Sequence, residues 1–391
     1  METKIIAFYL PQFHAIPEND KAYGKDFTEW TNTSKARPLF DAQYQPRIPL
    51  NKNYYNLLDV NVMINQAELA QKFGVYGFCY YHYWFGDDKK LLEKPVENML
   101  NTPAVDIPFC LCWANENWSK RWDGGNNEII MKQEYGDSHS WQNHIDYLLP
   151  FFKDERYIRI DDRPVFIVYK PELIPQLDAM ISFFQDAVKK AGLLGITVVA
   201  QYPNLFFGKQ QKYDSIKYYI HFEPRYIEEL DRQMHFSDEQ KKIELRKTTI
   251  KQWLAGHSLN WLLKVFWKLK DKRTIKTKKL KIRDYDKDWG QILSDETYGE
   301  SDLPGAFVDW DNTPRNVNGL AYKNASPSKF EFYMKKLLKK VQGSHCKKII
   351  FLNAWNEWAE GAHLEPDEKY GFAYLEALKS ALDESKSVSD K

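Results

Sequence analysis

The chain has 391 residues, of which 43% are hydrophobic, so it is long enough to bury a large core. Its net charge is +1, which gives no global electrostatic reason to expect a nucleic acid or an acidic partner. The aromatic content is high, with 13 Trp, 24 Tyr and 23 Phe, which is typical of clefts that handle carbohydrates, although large cores also use aromatic residues.

The cysteines and the N-terminus indicate the compartment. Cys79, Cys110, Cys112 and Cys346 lie mostly in apolar runs, and C-x-C without a second pair does not indicate a zinc or disulfide framework. We expect small buried hydrophobes in a reducing compartment. The chain enters a predicted strand at once, with no signal-peptide pattern and no apolar run of about 18 residues. A cytoplasmic location is therefore expected.

Eight apolar segments bounded by turn or polar residues are predicted to be β-strands. They are Lys4–Leu10, Val75–Phe85, Ile107–Trp113, Arg163–Lys170, Ile196–Tyr202, Tyr218–Phe222, Pro304–Asp311 and Ile349–Leu352. Helical periodicity lies between them at Leu57–Phe73, Leu91–Met99, His139–Phe152, Ile174–Ala191 and Lys329–Val341, and after the last strand at Gly371–Leu382. The alternation predicts an α/β fold, a (β/α)8 TIM barrel, with a doubly wound open sheet as the alternative. Glycine-rich phosphate-binding motifs are absent from the sequence.

We predict a single (β/α)8 catalytic domain over residues 1–384, with a helical insertion at 223–300 and a disordered tail at 385–391. The insertion contains a basic run at 268–283. Such a run is typical of a solvated helical face, and the alternative is peripheral contact with an anionic membrane surface.

Polar and aromatic side chains cluster where the predicted strands end. In a barrel these ends meet on one face, where active sites lie. The candidate substrate-binding residues are Tyr9, Gln12, His14, Trp30, His82, Trp84, Trp113, Asn115, Glu116, Trp118, Arg121, Lys170, Trp310, Asp311, Trp355 and Asn356. Core packing explains one aromatic strand end, but it explains poorly a repetition over most of the strands.

The eighth predicted strand leads into a segment that holds Glu357 and Glu360 among tryptophans. Burying a carboxylate is costly unless it is paired or neutralised, so its pKa tends to shift. Glycoside cleavage needs one carboxylic acid to protonate the leaving oxygen and a second carboxylate as base or nucleophile. Glu357 and Glu360 are therefore the predicted catalytic pair, with Glu116 and Asp311 in reserve. The alternative is a strand end capped by solvated glutamates.

Seven motifs carry a family resemblance. They are Ala7–His14 (AFYLPQFH), Phe27–Trp30 (FTEW), Gly77–Trp84 (GFCYYHYW), Cys112–Trp118 (CWANENW), Arg121–Gly124 (RWDG), Trp310–Pro314 (WDNTP) and Asn353–Gly361 (NAWNEWAEG). Together they resemble the WbsX-type polysaccharide-biosynthesis proteins, which carry a domain similar to glycoside hydrolase family 99. The resemblance covers nearly the whole chain except the insertion, and it implies a (β/α)8 barrel with no metal or other cofactor in the chemistry.

Family 99 enzymes are retaining endo-acting α-mannosidases and mannanases, with a proposed mechanism in which the substrate's own 2-hydroxyl is the nucleophile. Their N-E-W-x-E-G motif matches Asn356–Gly361. The resemblance thus implies that Glu357 assists the 2-hydroxyl and that Glu360 is the general acid/base. The N-terminal motif here reads Tyr-Leu-Pro-Gln-Phe-His instead of the Tyr-x-Pro-Trp-Tyr style of the mannosidases, so mannose specificity does not follow from the resemblance.

The leading hypothesis is a glycoside hydrolase or transglycosidase acting on a bacterial surface-polysaccharide intermediate, with an oligo- or polysaccharide as its partner. The alternative is a nucleotide-sugar glycosyltransferase that recruits Asp309 and Asp311 as a metal-binding D-x-D, a pattern common by chance. A non-catalytic carbohydrate-binding protein is the third hypothesis. A metal-dependent hydrolase through His14, His82 and Glu116 is a minor variant, because histidines among aromatic residues more often donate hydrogen bonds to substrate.

Overall fold

The structure is a computed structural model that describes residues 2–120, 128–201, 205–206, 209–210, 213–235, 279–294 and 298–389. Two predictions therefore lie wholly or largely outside the described residues. One is the role of Arg121, and the other is the nature of the basic run, of which only residues 279–283 are described.

Eight parallel strands form the central sheet. They are β1 (Lys4–Tyr9), β2 (Gly77–Trp84), β3 (Phe109–Trp113), β4 (Arg163–Val168), β5 (Thr197–Ala200), β6 (Tyr218–Ile220), β7 (Gly305–Phe307) and β8 (Ile349–Asn353). The order across the sheet is β6-β5-β4-β3-β2-β1-β8-β7. A ninth short strand, Asp302–Leu303, pairs with β6, and only Pro304 separates it from β7. The sheet therefore curves round to a nearly closed barrel, which confirms the predicted fold over the open sheet.

Helices surround the barrel. Those in the described part of the chain are α1 (Pro17–Tyr23), α2 (Glu29–Lys35), α3 (Val60–Lys72), α4 (Lys94–Leu100), α5 (Ser138–Lys153), α6 (Leu177–Lys190), α7 (Arg225–Met234), α8 (Tyr285–Ser294), α9 (Pro327–Gly343) and α10 (Ala373–Ser389). Side-chain caps define several of their starts, because the first N–H groups of a helix have no intrahelical acceptor. Asp59 accepts from Asn61 N at α3, and Ser326 accepts from Lys329 N at α9.

Further short strands lie in the described loops. They are Lys90–Leu91, Trp118–Ser119, Ile129–Met131, Arg159–Ile160, Leu205–Phe206, Lys209–Gln210, Lys281–Asp284, Leu320–Lys323, Asn356–Glu357 and Ala362–His363. Lys90–Leu91 pairs antiparallel with the end of β2, so the helix predicted from Leu91 begins only at Lys94.

Part of the predicted insertion belongs to the barrel. Trp289 of α8 stacks on Phe307 of β7 with ring centroids 5.4 Å apart, and on Tyr333 of α9 at the same separation. Helix α8 therefore fills the position of a barrel helix before β7. Residues 236–278, the centre of the predicted insertion, lie outside the described residues.

The C-terminal end differs from the sequence-based expectation. Helix α10 continues to Ser389, whereas the sequence predicted disorder from residue 385. Gln342 donates to the Ser385 hydroxyl at 2.6 Å, and Lys386 pairs with Glu2 at 2.8 Å. These contacts with α9 and the N-terminus accompany the continuation of the helix beyond residue 385.

Two further expectations concern cysteines and membranes. Cys79, Cys110, Cys112 and Cys346 are all free and buried, which confirms that they act as small hydrophobes. Within the ranges described above, no helix has the length and apolar character needed to cross a membrane.

Candidate active site

The segment after β8 forms a small hairpin at the C-terminal rim of the barrel. Asn356–Glu357 pairs antiparallel with Ala362–His363, and a single 3-10 turn, Trp358–Glu360, joins them. Gly361 ends that turn at φ 62°, in the left-handed region that favours glycine. A Cβ there would approach Arg47 Nη2 to 2.9 Å, so both backbone and packing require glycine.

Asn356 fixes this hairpin to the first strand. Its Oδ1 accepts from Leu10 N at 2.7 Å, and its Nδ2 donates to Leu10 O at 3.0 Å. The side chain is fully buried by these contacts. Asn356 therefore positions Glu357, and its predicted contact with substrate is replaced by a contact with backbone.

Arg315 brings the two predicted catalytic carboxylates together. It lies in the loop after β7 and donates from Nη2 to Glu357 Oε2 at 2.9 Å and from Nη1 to Glu360 Oε1 at 2.5 Å. Nε of the same guanidinium donates to Glu29 Oε1 at 2.8 Å, and Nη2 lies 2.6 Å from that oxygen. One cation therefore contacts three carboxylates, which we call the Arg315 cluster: Glu29, Arg315, Glu357 and Glu360.

Burial and like charge shift the acidity of this cluster. Burial, the largest effect, acts together with the nearby Glu360 and Glu29 to raise the pKa of Glu357 to about 8, while Arg315 opposes them. Burial also raises the pKa of Glu29, against the attraction of Arg315. Three carboxylates therefore share one guanidinium in a buried site, and burial favours the protonated forms of Glu357 and Glu29.

Aromatic residues of β2 line the same space. Tyr81 and Tyr83 point to the interior of the barrel, and the charge of Glu357 adds to the burial that raises the pKa of each hydroxyl. The Tyr83 ring meets Trp118 edge-on at 5.0 Å. Tyr81 accepts a hydrogen bond from Gln201 at 2.8 Å. These rings and hydroxyls form an apolar wall with polar tips.

The opposite wall is charged. Arg225 lies over the Trp310 ring at 5.1 Å and pairs with Glu228 at 2.9 Å. Glu360 is close enough to help raise the pKa of Arg225.

Further round the rim, Lys170 pairs with Glu116 at 2.5 Å, and both side chains are partly exposed. Asn115 ties the two loops together because its amide exchanges hydrogen bonds with the backbone N and O of Lys170. Glu116 and Lys170 are therefore available at the rim, whereas Asn115 is a structural clamp.

The loop after β1 presents buried polar atoms without partners. Among the described residues, three side-chain atoms here lack a hydrogen-bond partner: Nε2 and Oε1 of Gln12, and Nε2 of His14. Both side chains are at most 2% exposed, and Gln12 O accepts from Glu29 N at 3.0 Å. Buried polar groups are normally paired, so unpaired ones beside a charged cluster indicate a place for ligand or water.

Three predicted residues lie on the other face of the sheet. His82 Nε2 is 3.0 Å from His144 Nε2 of α5, and Trp84 stacks on His144 with centroids 4.7 Å apart. The Trp113 ring meets the same histidine edge-on at 4.8 Å. Successive side chains of a strand alternate faces, so Tyr81 and Tyr83 face the interior while His82 and Trp84 pack under helix α5. Their prediction as substrate contacts is corrected accordingly.

A buried hydrogen-bond network around Glu365 includes one of the residues predicted to contact substrate. The carboxylate accepts from Gln66, Tyr55 and Trp358 at 2.6, 2.8 and 2.7 Å. Tyr9 joins through its hydroxyl, which donates to Gln66. This network borders a separate cavity of about 820 Å³ beside α3.

Two tryptophans that were predicted to contact substrate also lie behind the rim, near the Glu365 network. Trp30 donates to Tyr55 O at 2.8 Å, and the fully buried Trp355 packs on Phe78 at 5.1 Å. In the described structure Tyr9, Trp30 and Trp355 therefore support the rim from behind and make no contact with Glu357 or Glu360.

Asp309 and Asp311 are both engaged by protein groups. Arg47 pairs with Asp309 at 2.7 Å. Asp311 accepts from Gln43 and Gln45, at 2.8 and 2.9 Å, and from Thr313 N and Oγ1. No cluster of three or more metal-ligating side chains occurs in the part of the chain that the structure describes. These two aspartates thus shape the loop that carries Arg315.

Sequence reasoning missed Arg315, Glu29, Tyr81 and Tyr83 as parts of the site. The signals were present: Glu29 lies within FTEW, the two tyrosines lie within GFCYYHYW, and Arg315 directly follows WDNTP. The sequence predicts that the ends of the second and seventh strands share one rim, but it does not indicate that FTEW joins them or which of these side chains meet. Arg121 lies outside the described residues.

Comparison with solved structures gives the class of fold first. A structure described as a glycoside hydrolase-like protein has a TM-score of 0.54 at 13% identity, over 97% of this chain and 94% of that one. The GH99 endo-alpha-mannosidase from Bacteroides thetaiotaomicron has a TM-score of 0.52 at 12% identity, over 99% and 98% of the two chains. The fold is therefore a TIM barrel, as in these two structures.

The sequence then defines the family. The family model described as Glycosyltransferase WbsX matches residues 5–378, and the chain belongs to this family. A relative, the uncharacterized protein WxcX of Xanthomonas campestris pv. campestris, is 32% identical over 389 residues, which are 98% of this chain and 50% of that protein. The chain spans about half the length of the curated relatives it matches. These findings confirm the resemblance described from the motifs.

Proposed function

We propose that the protein is a carbohydrate-active enzyme, a glycoside hydrolase or transglycosidase that acts on a bacterial surface-polysaccharide intermediate. The observation that carries the proposal is the Arg315 cluster: Glu357 and Glu360 meet on one guanidinium at the C-terminal rim of a glycoside-hydrolase-type barrel. Active sites of TIM barrels lie on this face. Most glycoside hydrolases cleave the glycosidic bond with a pair of carboxyl groups.

The two carboxylates have different surroundings, which suits different roles. Glu357 is buried with a pKa of about 8, whereas the Glu360 side chain is 18% exposed. A general acid or base works best when its pKa lies near the working pH. We propose that Glu357 assists the substrate's 2-hydroxyl and that Glu360 exchanges a proton with the glycosidic oxygen.

Substrate contacts are proposed for the residues that remain on the inner face. Tyr83 and Trp118 offer a ring surface, Gln12 and His14 offer unpaired polar atoms, and the Glu116–Lys170 pair lies at the rim. The mixture of flat apolar surface and a few polar groups is what a sugar ring needs, because it has C–H faces and hydroxyl edges.

The test is to replace Glu357 and Glu360 singly by glutamine and to assay turnover of oligosaccharides. Because the comparison structure is an endo-alpha-mannosidase, α-mannosyl oligosaccharides come first, followed by other α- and β-linked sugars. Each substitution should lower kcat by about 10²- to 10⁴-fold. The matched control is E68Q, on the exposed face of α3. Unchanged turnover in both variants would refute the proposed roles, and sugar binding without any product would favour a binding protein.

A glycosyltransferase remains the second candidate, because the family description uses that word. The predicted D-x-D gives it little support here, since Arg47 pairs with Asp309 and four hydrogen bonds converge on Asp311. Calorimetry with a nucleoside diphosphate and Mn²⁺ discriminates the two candidates. Metal-dependent nucleotide binding that is lost in D309N would favour the transferase.

A further inference from the structure

Glu29 is a carboxylate that no role described so far requires. It is the first residue of α2, is fully buried, and contacts Arg315 through a single oxygen, Oε1. Its other oxygen, Oε2, has no partner among the described residues. Leaving a carboxylate group buried and half-paired is costly, so its position calls for an explanation.

The geometry shows what Glu29 takes from Arg315. Nε donates to Glu29 Oε1 at 2.8 Å, and Nη2 is 2.6 Å from the same oxygen. Glu357 receives only Nη2, at 2.9 Å, and Glu360 receives Nη1, at 2.5 Å. An arginine fork can bind one carboxylate through two parallel N–H bonds, which is its strongest mode. Glu29 occupies the Nε–Nη2 side of the guanidinium and Glu360 takes Nη1, so neither pair of donors is left for Glu357 alone.

We propose that Glu29 is a positioning residue that competes with Glu357 for the N–H donors of Arg315 and thereby leaves Glu357 able to accept a proton from substrate. The inference rests on the proposed function, because it concerns the same two carboxylates. A doubly bonded Glu357 would be held ionised and would be a weak base. With one shared N–H it stays basic.

Among the described residues, five charged or titratable groups influence Glu357 or are influenced by it. They are Arg315 after β7, Glu360 on the same hairpin, Glu29 on α2, and Tyr81 and Tyr83 on β2. Both tyrosine hydroxyls remain neutral because burial raises their pKa. Arg315 is the cation among these five groups of the described chain, and the division of its donors sets the basicity of Glu357.

The direct test measures the titration of Glu357 itself. The full chain is labelled with [13Cδ]glutamate, the Glu357 resonance is assigned by comparison with E357Q, and its carboxyl shift is followed against pH. E29M removes the competing oxygen, and the Glu357 midpoint should fall by about one pH unit. E29Q retains an oxygen at the same place, so it should restore a midpoint near that of the wild type. E68Q is the control for a distant exposed glutamate.

Three results would overturn the proposal. The first is a folded E29M protein, judged by its thermal transition, with an unchanged Glu357 midpoint. The second is an E29Q midpoint as low as that of E29M, which would assign the effect to charge alone. The third is an equal E29M shift in an Arg315→Met background, because the proposed effect passes through Arg315. Should E29M fail to fold, E29D withdraws the oxygen and should lower the midpoint as well.

This readout is independent of substrate. If no sugar is turned over by any variant, the proposed function fails while the titration still decides the role of Glu29. If a substrate is found, the acidic limb of the pH profile of kcat/KM should move down with the Glu357 midpoint in E29M. In that case kcat measured above both midpoints should fall about threefold, because a base weakened by about one unit loses less than tenfold in rate. KM should change little, because the sugar contacts remain.

Discussion

Arg315 and Glu360 approach each other across the barrel rim, with Nη1 of the guanidinium 2.5 Å from Oε1 of the carboxylate. Their loops are also joined nearby, since Asp311 N donates to Glu360 O at 2.6 Å. The two chain segments are therefore held together by backbone as well as by charge. This arrangement holds the carboxylates in place without a ligand, which the acid–base chemistry proposed above would require.

The first prediction concerns Arg315. In R315M the attraction that opposes burial is lost, so the pKa of Glu357 should rise further and kcat/KM at neutral pH should fall by about 10²-fold. The acidic limb of the pH profile should move upward, opposite to the shift expected for E29M. R315K keeps the charge but not the planar fork, and it should recover only part of the activity. A pH profile of R315M that matches the wild type would contradict this role.

The second prediction compares two neighbours on β2. Tyr83 faces the cluster, whereas Trp84 stacks on His144 behind the sheet. Y83F should lower kcat/KM by about tenfold, because the proposed substrate loses one hydrogen bond from the Tyr83 hydroxyl. The unfolding free energy should not change. W84A should lower the unfolding free energy by about 3–5 kcal/mol while the folded fraction retains its kcat. Urea unfolding and steady-state assays separate the two effects, and a reversed pattern would mean that the faces are misassigned.

The third prediction is a pH dependence of stability that arises from Glu365. Burial is the main cause that raises its folded-state pKa to about 7, against ~4.3 in the unfolded chain. The folded protein therefore holds a proton that the unfolded chain has already released, and the unfolding free energy falls as pH rises between these values. E365Q should remove about 3 kcal/mol of this fall.

The readout for Glu365 is the slope between about pH 4.5 and 7, because other groups also titrate. The histidines act in the opposite direction: burial lowers the pKa of His82 to about 3, so its contribution is lost as pH falls below ~6.5. The difference between E365Q and wild type isolates Glu365, and E68Q should show the wild-type slope. Parallel curves for E365Q and wild type would disprove the assignment.

The fourth prediction concerns Asp311, for which the sequence suggested contact with substrate or metal. Because Gln43, Gln45 and Thr313 all donate to it, D311A leaves several buried donors unpaired. The unfolding free energy should fall by about 3 kcal/mol. D383N, on the exposed side of α10, should stay within about 0.5 kcal/mol of the wild type. A stable D311A protein with weakened ligand binding would restore the original interpretation.

The sequence by itself determined the barrel and the catalytic candidates. Apolar runs such as Lys4–Tyr9 and Ile349–Asn353 are buried on both faces. Such runs predict parallel strands even when their partner strands are unknown. The position of the polar hairpin after β8 could be predicted for a related reason. Two glutamates directly after a buried strand have to lie at the rim of the sheet.

Only the tertiary structure decided which side chains share that rim with them. Neighbours such as Tyr83 and Trp84 differ by one residue and by a whole face of the sheet, and both look equally suited to bind a sugar. Arg315 is 42 and 45 positions from the glutamates that it joins, and Glu29 is 286 positions from Arg315. Local patterns report on burial, whereas the sharing of one guanidinium by three carboxylates depends on how distant loops meet.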